Sequence, residues 1–259
     1  MKKLFLLITL ISAWPSLMAQ DCYEDKTIEY LSYDFSEIWL HKTFQGTIGD
    51  NNQRIQVRFT AITKLNDSTY QAVGKSKVRS NICDFKGYLQ LSKIEIVKTT
   101  CDEPYNSYGI ITASYSLNED STQNHVGQFT GVLQSMFDQA EEGFQQFPGW
   151  YSDEGVNVFT GTWQEYGNPA PKYCSWGLQI PPCPRNDLFR HLENEFYLFN
   201  NQYINQGWRS YVLAHLNTFI IVPKSFNGDL SAYPKETITF SNEEISQSRA
   251  IEEEQWWNH

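Results

Sequence analysis

On four of the long strands predicted in this chain a phenylalanine stands two residues before a glycine, in phase each time: Phe44-Gln45-Gly46, Phe85-Lys86-Gly87, Phe129-Thr130-Gly131 and Phe159-Thr160-Gly161. Residues two apart share one face of a β-strand. A glycine inside a strand costs stability unless something uses the space it leaves, and a neighbouring ring lying over it is the usual use in strongly curved sheets. The repeat therefore constrains the chain to a curved, aromatic-lined sheet.

The stretches around the repeat read as consecutive antiparallel strands. In Ile55-Gln56-Val57-Arg58-Phe59-Thr60-Ala61 apolar and polar residues alternate with period two, as a strand with one buried face requires. Strand one covers 39–48, and Gly49-Asp50-Asn51-Asn52 turns it into strand two, which Leu65-Asn66-Asp67-Ser68 ends. Strand three, 69–78, carries Tyr70, Ala72, Gly74 and Ser76 on its inner face. In strand four Cys83, Phe85, Gly87, Leu89 and Leu91 share a face, after which the apolar phase slips to Ile94 and Ile96, predicting a β-bulge near Ser92-Lys93. Strand five spans 108–117 with Ile111, Ala113, Tyr115 and Leu117 inward, and Asn118-Glu119-Asp120-Ser121 is read as a turn. Strand six covers 125–137, a short strand is expected around 147–151, and strand eight covers 157–166 with Phe159, Gly161 and Trp163 inward. The expected fold is all-β: an antiparallel meander barrel of about eight strands over 20–166. An irregular, aromatic-rich extension, 167–259, packs on it and ends in a helix.

Residues 1–19 have the form of a secretory signal peptide: Lys2 and Lys3, an apolar run to Ala13, and small residues at Ser16 and Ala19. A spanning helix needs about 20 apolar residues, and Trp14-Pro15 ends this run too early, so no membrane span is expected and the location is periplasmic or extracellular. The formal net charge of −10 and the lack of a basic run after the leader argue against nucleic acid.

The leader, the meander, the aromatic–glycine patterning and an aromatic-rich tail together resemble the calycin group of lipocalins and avidins. Gly161-Thr162-Trp163 has the lipocalin Gly-x-Trp spacing, here on the last predicted strand. The resemblance covers roughly residues 39–166 and implies a barrel that holds a small ligand. The chain is also similar to uncharacterised secreted proteins of Gram-negative bacteria, which implies a location and no activity.

The five cysteines lie beyond the leader, and an oxidising compartment favours bridging. Cys174 and Cys183, flanking a proline-rich loop, are the easiest local pair, and Cys22 with Cys101 is the second, because the start of strand one and the end of strand four fall at the same end of a meander. Cys83 is left as a small buried thiol.

Catalytic constellations are scarce. His41, His125, His191, His215 and His259 show no metal-ligand spacing, no nucleophile elbow or phosphate loop occurs, and the inner faces are almost wholly apolar. His191, Glu193 and Glu195 are the trio closest to an acid–base set, and neither metal nor cofactor is expected. The reading is a non-enzymatic binding protein for a small apolar or amphipathic ligand lined by Phe44, Phe59, Tyr70, Phe85, Tyr115, Phe129, Phe159 and Trp163. One alternative is a glycan surface in the tail, where Trp176, Tyr203, Trp208 and Tyr211 stand among amide side chains; exposure of Trp176 and Trp208 separates the two. Another is an inhibitor-type protein acting through a protein partner. In the tail a short helix is expected at 208–216 and a strand at 237–240. Ser241-Asn242-Glu243-Glu244 is a capping box opening a final helix that packs through Ile245, Ala250 and Trp256. The runs there are too short and broken for a second core.

Overall fold

The structure, a computed structural model, describes residues 22–97, 108–140, 143–146, 157–178, 188–191, 197–222 and 238–258. The alternating stretches form the strands they predict: β1 (Tyr23–Asp25), β2 (Thr43–Ile48), β3 (Gln53–Lys64), β4 (Thr69–Val78), β5 (Asn81–Val97), β6 (Tyr108–Glu119), β7 (Gly127–Ala140), β8 (Gly143–Gln146), β9 (Val158–Glu165) and β10 (Lys172–Gly177). Eight of them close into an antiparallel barrel in the order β2-β3-β4-β5-β6-β7-β9-β10, with β10 returning to β2. β1 and β8 extend it, pairing with the ends of β5 and β7.

The closing strand is where the sequence reading falls short. The segment around Tyr173-Cys174-Ser175-Trp176-Gly177, read as an irregular loop, is the eighth barrel strand, so the barrel runs to Gly177 rather than ending at 166. Its flanking prolines hid it, and the short strand expected at 147–151 lies outside the described residues. The bulge in β5 falls between Leu91 and Lys93 as expected. A second, unanticipated bulge between Phe59 and Ala61 in β3 turns Ala61 outward and Ile62 inward.

Nearly every inward position is buried, and the interior is packed solid with rings. At its centre Trp176 stacks on Phe159 at 5.4 Å and 18° and meets Phe129 edge-on at 5.4 Å. The Phe-x-Gly repeat explains how such rings fit. Gly131 and Gly161 face each other across β7 and β9, and a Cβ on either would stand 2.7 or 2.8 Å from the Tyr115 hydroxyl that lies over both. The lead-in to β2 plugs one end: Phe35, Ile38 and Trp39 are completely buried, and the Trp39 indole donates to Ser135 Oγ at 2.7 Å. The lead-in also carries a short helix, α1 (Thr27–Tyr30), beside β5.

The tail builds a second apolar cluster, against the expectation that its runs were too broken for one. β11 (Phe189–His191), β12 (Tyr197–Asn200) and β13 (Phe219–Val222) form a small sheet whose β12–β13 pair is parallel, bridged by a crossover that contains α2 (Arg209–Ala214). Large rings compensate for short elements: Phe189, Phe199, Trp208, Tyr211 and Phe219 pack together, with Trp208 edge-on to Phe189 at 5.2 Å. No strand forms at 238–240. The final helix, α3 (Asn242–Glu253), opens on the predicted capping box. It buries Ser248 rather than Ala250, and the chain beyond it buries Trp256.

This unit docks on the outer wall of β2 and β3. The Trp208 indole donates to the Asn52 carbonyl at 2.8 Å, and Gln53 Nε2 donates to the Gln206 carbonyl at 2.6 Å. Arg54, on the outward face of β3, donates to Gln45 and Glu252 and lies 4.8 Å from the Tyr211 ring centroid. Trp257 continues the contact, with the Arg58 guanidinium 3.8 Å from its ring.

Candidate functional site

The plug seals one end of the barrel; the other end opens into a cavity of about 790 Å³. All four loops at that end are described: Gly49 to Asn52, Arg79 to Ser80, the turn after Glu119, and Tyr166 to Pro171. Ser76, Glu119, Phe129 and Trp163, near the open ends of their strands, line the cavity, and Asp50, Arg79, His125, Lys172 and Tyr173 add to its wall.

Glu119 is the unusual member. It follows Leu117 by two residues on β6, so strand parity points it into the barrel, and it is only 5 % exposed. Its Oε2 accepts from the Gly127 amide at 2.8 Å and the Trp163 indole at 2.9 Å, and its Oε1 accepts from the Ser76 hydroxyl at 2.5 Å. Burial raises its pKa above the ordinary carboxylate value, while these three donors pull the other way. None of the ion pairs among the described residues includes it. The Lys172 ammonium lies instead over the Trp163 ring, 4.9 Å from its centroid. The sequence reading took Glu119 for a turn residue; the parity of Ile111, Ala113, Tyr115 and Leu117, carried one step further, is the signal that finds it.

Of the eight residues expected to line a ligand cavity, Phe129 and Trp163 reach this one. Phe44, Phe59, Phe85, Tyr115 and Phe159 are packed against one another below it, and Tyr70 is tied to the plug, accepting from the Phe35 amide at 3.1 Å. An eight-stranded barrel is just wide enough for its own side chains, and Trp176 from the closing strand takes the central space. In the proposed glycan surface Trp176 and Trp208 are fully buried, Tyr211 nearly so and Tyr203 half-buried. The two tryptophans are cores of the barrel and of the tail, so they offer no stacking platform.

Cys174 corrects the expected pairing with Cys183: it is a free thiol, completely buried on the inner face of β10. Cys83 is likewise free and buried, its pKa pushed up to about 11 by desolvation and by the nearby Glu119 charge. Cys22 is disulfide-bonded, and the remaining cysteines, Cys101 and Cys183, lie outside the described residues. Of the acid–base trio, Glu193 and Glu195 lie outside them too, and only the backbone of His191 is described, in β11. Among the described residues no three His, Cys, Asp or Glu side chains converge as metal ligands, and no helix is long and apolar enough to cross a membrane.

A second cleft of about 790 Å³ lies between the barrel wall and the tail, bordered by Gln45, Tyr211, His215, Arg249 and Glu252. Its most buried charges are already matched, Glu252 by Arg54, and His215 Nδ1 lies 2.7 Å from the Tyr211 carbonyl. No family model, no curated protein and no solved structure matches the chain.

Proposed function

We propose that this is a calycin-like, non-enzymatic binding protein that acts outside the cytoplasm and takes a small amphipathic molecule at the open end of its barrel. The observation that carries the reading is the mouth cavity: an apolar floor of Phe129 and Trp163 beside the polar pair Ser76 and Glu119, walled by loops of mixed charge. Ligand sites commonly combine a mostly apolar concavity with a few fixed polar groups. The leader-like first nineteen residues support the location.

Native mass spectrometry of the exported chain, purified without detergent, tests it. A stoichiometric small-molecule adduct that disappears on denaturing extraction is the expected result. A bare mass before and after extraction, with no change in the indole signal of Trp163, overturns it.

A further inference from the structure

The mouth cavity also carries information about the charge of what it holds. A carboxylate removed from water is costly unless a cation or enough donors compensate it. Glu119 has donors that fix its position, yet no cation among the described residues pairs with it. Its two oxygens are unequally used: Oε2 takes both nitrogen donors and Oε1 takes only Ser76, so Oε1 keeps acceptor capacity. Beside it are the rings of Phe129 and Trp163. The Trp163 ring already accepts one ammonium, that of Lys172, so it suits a cation electrostatically as well as an apolar body.

Resting on the mouth-binding reading above, we propose that the ligand is an organic ammonium ion with an apolar or aromatic body. Its N–H groups donate to Glu119 Oε1, and its body lies against Phe129 and Trp163. Glu119 is then the specificity-determining residue: an uncharged or anionic analogue leaves its carboxylate unmatched.

Three indoles of nearly equal size test this on the full mature chain: tryptamine (cationic), tryptophol (neutral) and indole-3-propionate (anionic). Binding is followed through the Gly127 amide and Trp163 indole resonances, whose protons both go to Glu119. Tryptamine is expected to shift these two signals and to bind about tenfold or more tightly than tryptophol, with indole-3-propionate weakest. In Glu119→Gln, which keeps an acceptor for both donors, tryptamine affinity falls to that of tryptophol. Should that variant not fold, the ranking on the wild-type chain decides alone. Equal affinities for the three, with the same signals moving, overturn the ammonium inference and leave the mouth reading standing. No movement with any of them also overturns it, and the adduct experiment then judges the mouth reading separately.

Discussion

Arg54 and Glu252, 198 residues apart in the chain, meet in a two-point ion pair on the outer wall of the barrel, with Nη1–Oε1 at 2.7 Å and Nη2–Oε2 at 2.6 Å. The side chains are 6 % and 11 % exposed, and Gln45, Ser210 and the Tyr211 ring complete their surroundings. Removing one partner leaves the other charge buried and unmatched, which costs about 3–5 kcal/mol. Arg54→Ala and Glu252→Gln are each expected to lose that much in urea denaturation. Arg54→Met with Glu252→Leu together is expected to recover most of it.

The two buried carboxylates pull the pH dependence of stability in opposite directions. For Glu252, burial alone would raise the pKa, but the hydrogen bonds and charge of Arg54, with Ser210 and His215, bring it below the ordinary 4.5. Its contribution is present above the unfolded value and is lost as pH falls through the folded one. Glu119 is raised instead, by burial, so folding takes up a proton; it costs stability above its folded pKa, and that cost vanishes as pH falls below 4.5. Denaturation from neutral pH to about 3 is expected to show the Glu252→Gln deficit unchanged down to about 4.5 and shrinking as pH falls further. Over the same range the Glu119→Gln curve is expected to lack the acid-side gain of the parent.

Tyr115 carries a hydroxyl buried in the barrel with no hydrogen-bond partner of normal geometry, its polar neighbour being the Cys174 thiol. An unsatisfied buried polar group costs about 1–3 kcal/mol, so Tyr115→Phe is expected to raise the melting temperature. Gly161→Ala is expected to lower it, because the added methyl meets the Thr130 carbonyl as well as that hydroxyl. A cost of about 1–3 kcal/mol is typical of an overpacked core.

Both described free thiols are closed off: Cys83 has its pKa pushed up to about 11, and burial raises Cys174 further. Alkylation of the native protein at neutral pH is expected to leave both unlabelled, since the thiolate is the reactive form. Both are expected to label once the chain is unfolded without reductant, with peptide mapping as the readout.

The two C-terminal tryptophans hold the barrel wall unequally. Trp257 is half-buried with the Arg58 guanidinium 3.8 Å from its ring, whereas Trp256 is nearly completely buried beneath Lys77. Trp257→Ala is expected to cost about 0.5–2 kcal/mol, the range for a cation–π pair. Trp256→Ala is expected to cost about 3–5 kcal/mol, as for a buried ring, with thermal melts comparing the two.

Much of the barrel is legible in the residues because a strand with one buried face writes its orientation as alternation. The inward sets of β4 to β7 and β9, the bulge at Ser92-Lys93 and the capping box at Ser241 are all local patterns. The closing strand escaped because its six residues alternate too briefly between prolines. Ala61 was misplaced because a bulge inserts one residue without changing the composition around it. The plug escaped because Phe35 and Ile38 form no periodic element and Trp39 reads as the start of strand one, which begins only at Thr43; all three owe their burial to the barrel end they meet.

Period and residue type thus determined by themselves that the chain makes a curved antiparallel sheet with an aromatic inner face. Only tertiary structure decided whether that face encloses a cavity. Ring volumes add up in three dimensions: Trp39 enters from below and Trp176 from the closing strand, and together with the Phe side chains they fill the interior. Among the described residues, space is left above Phe129 and Trp163, beside Ser76 and Glu119, where the strands end and the loops diverge. Arg54, on the polar outer face of a half-buried strand, reads as solvated until the tail folds over it. A distant carboxylate and two rings then turn that position into the anchor of the second unit.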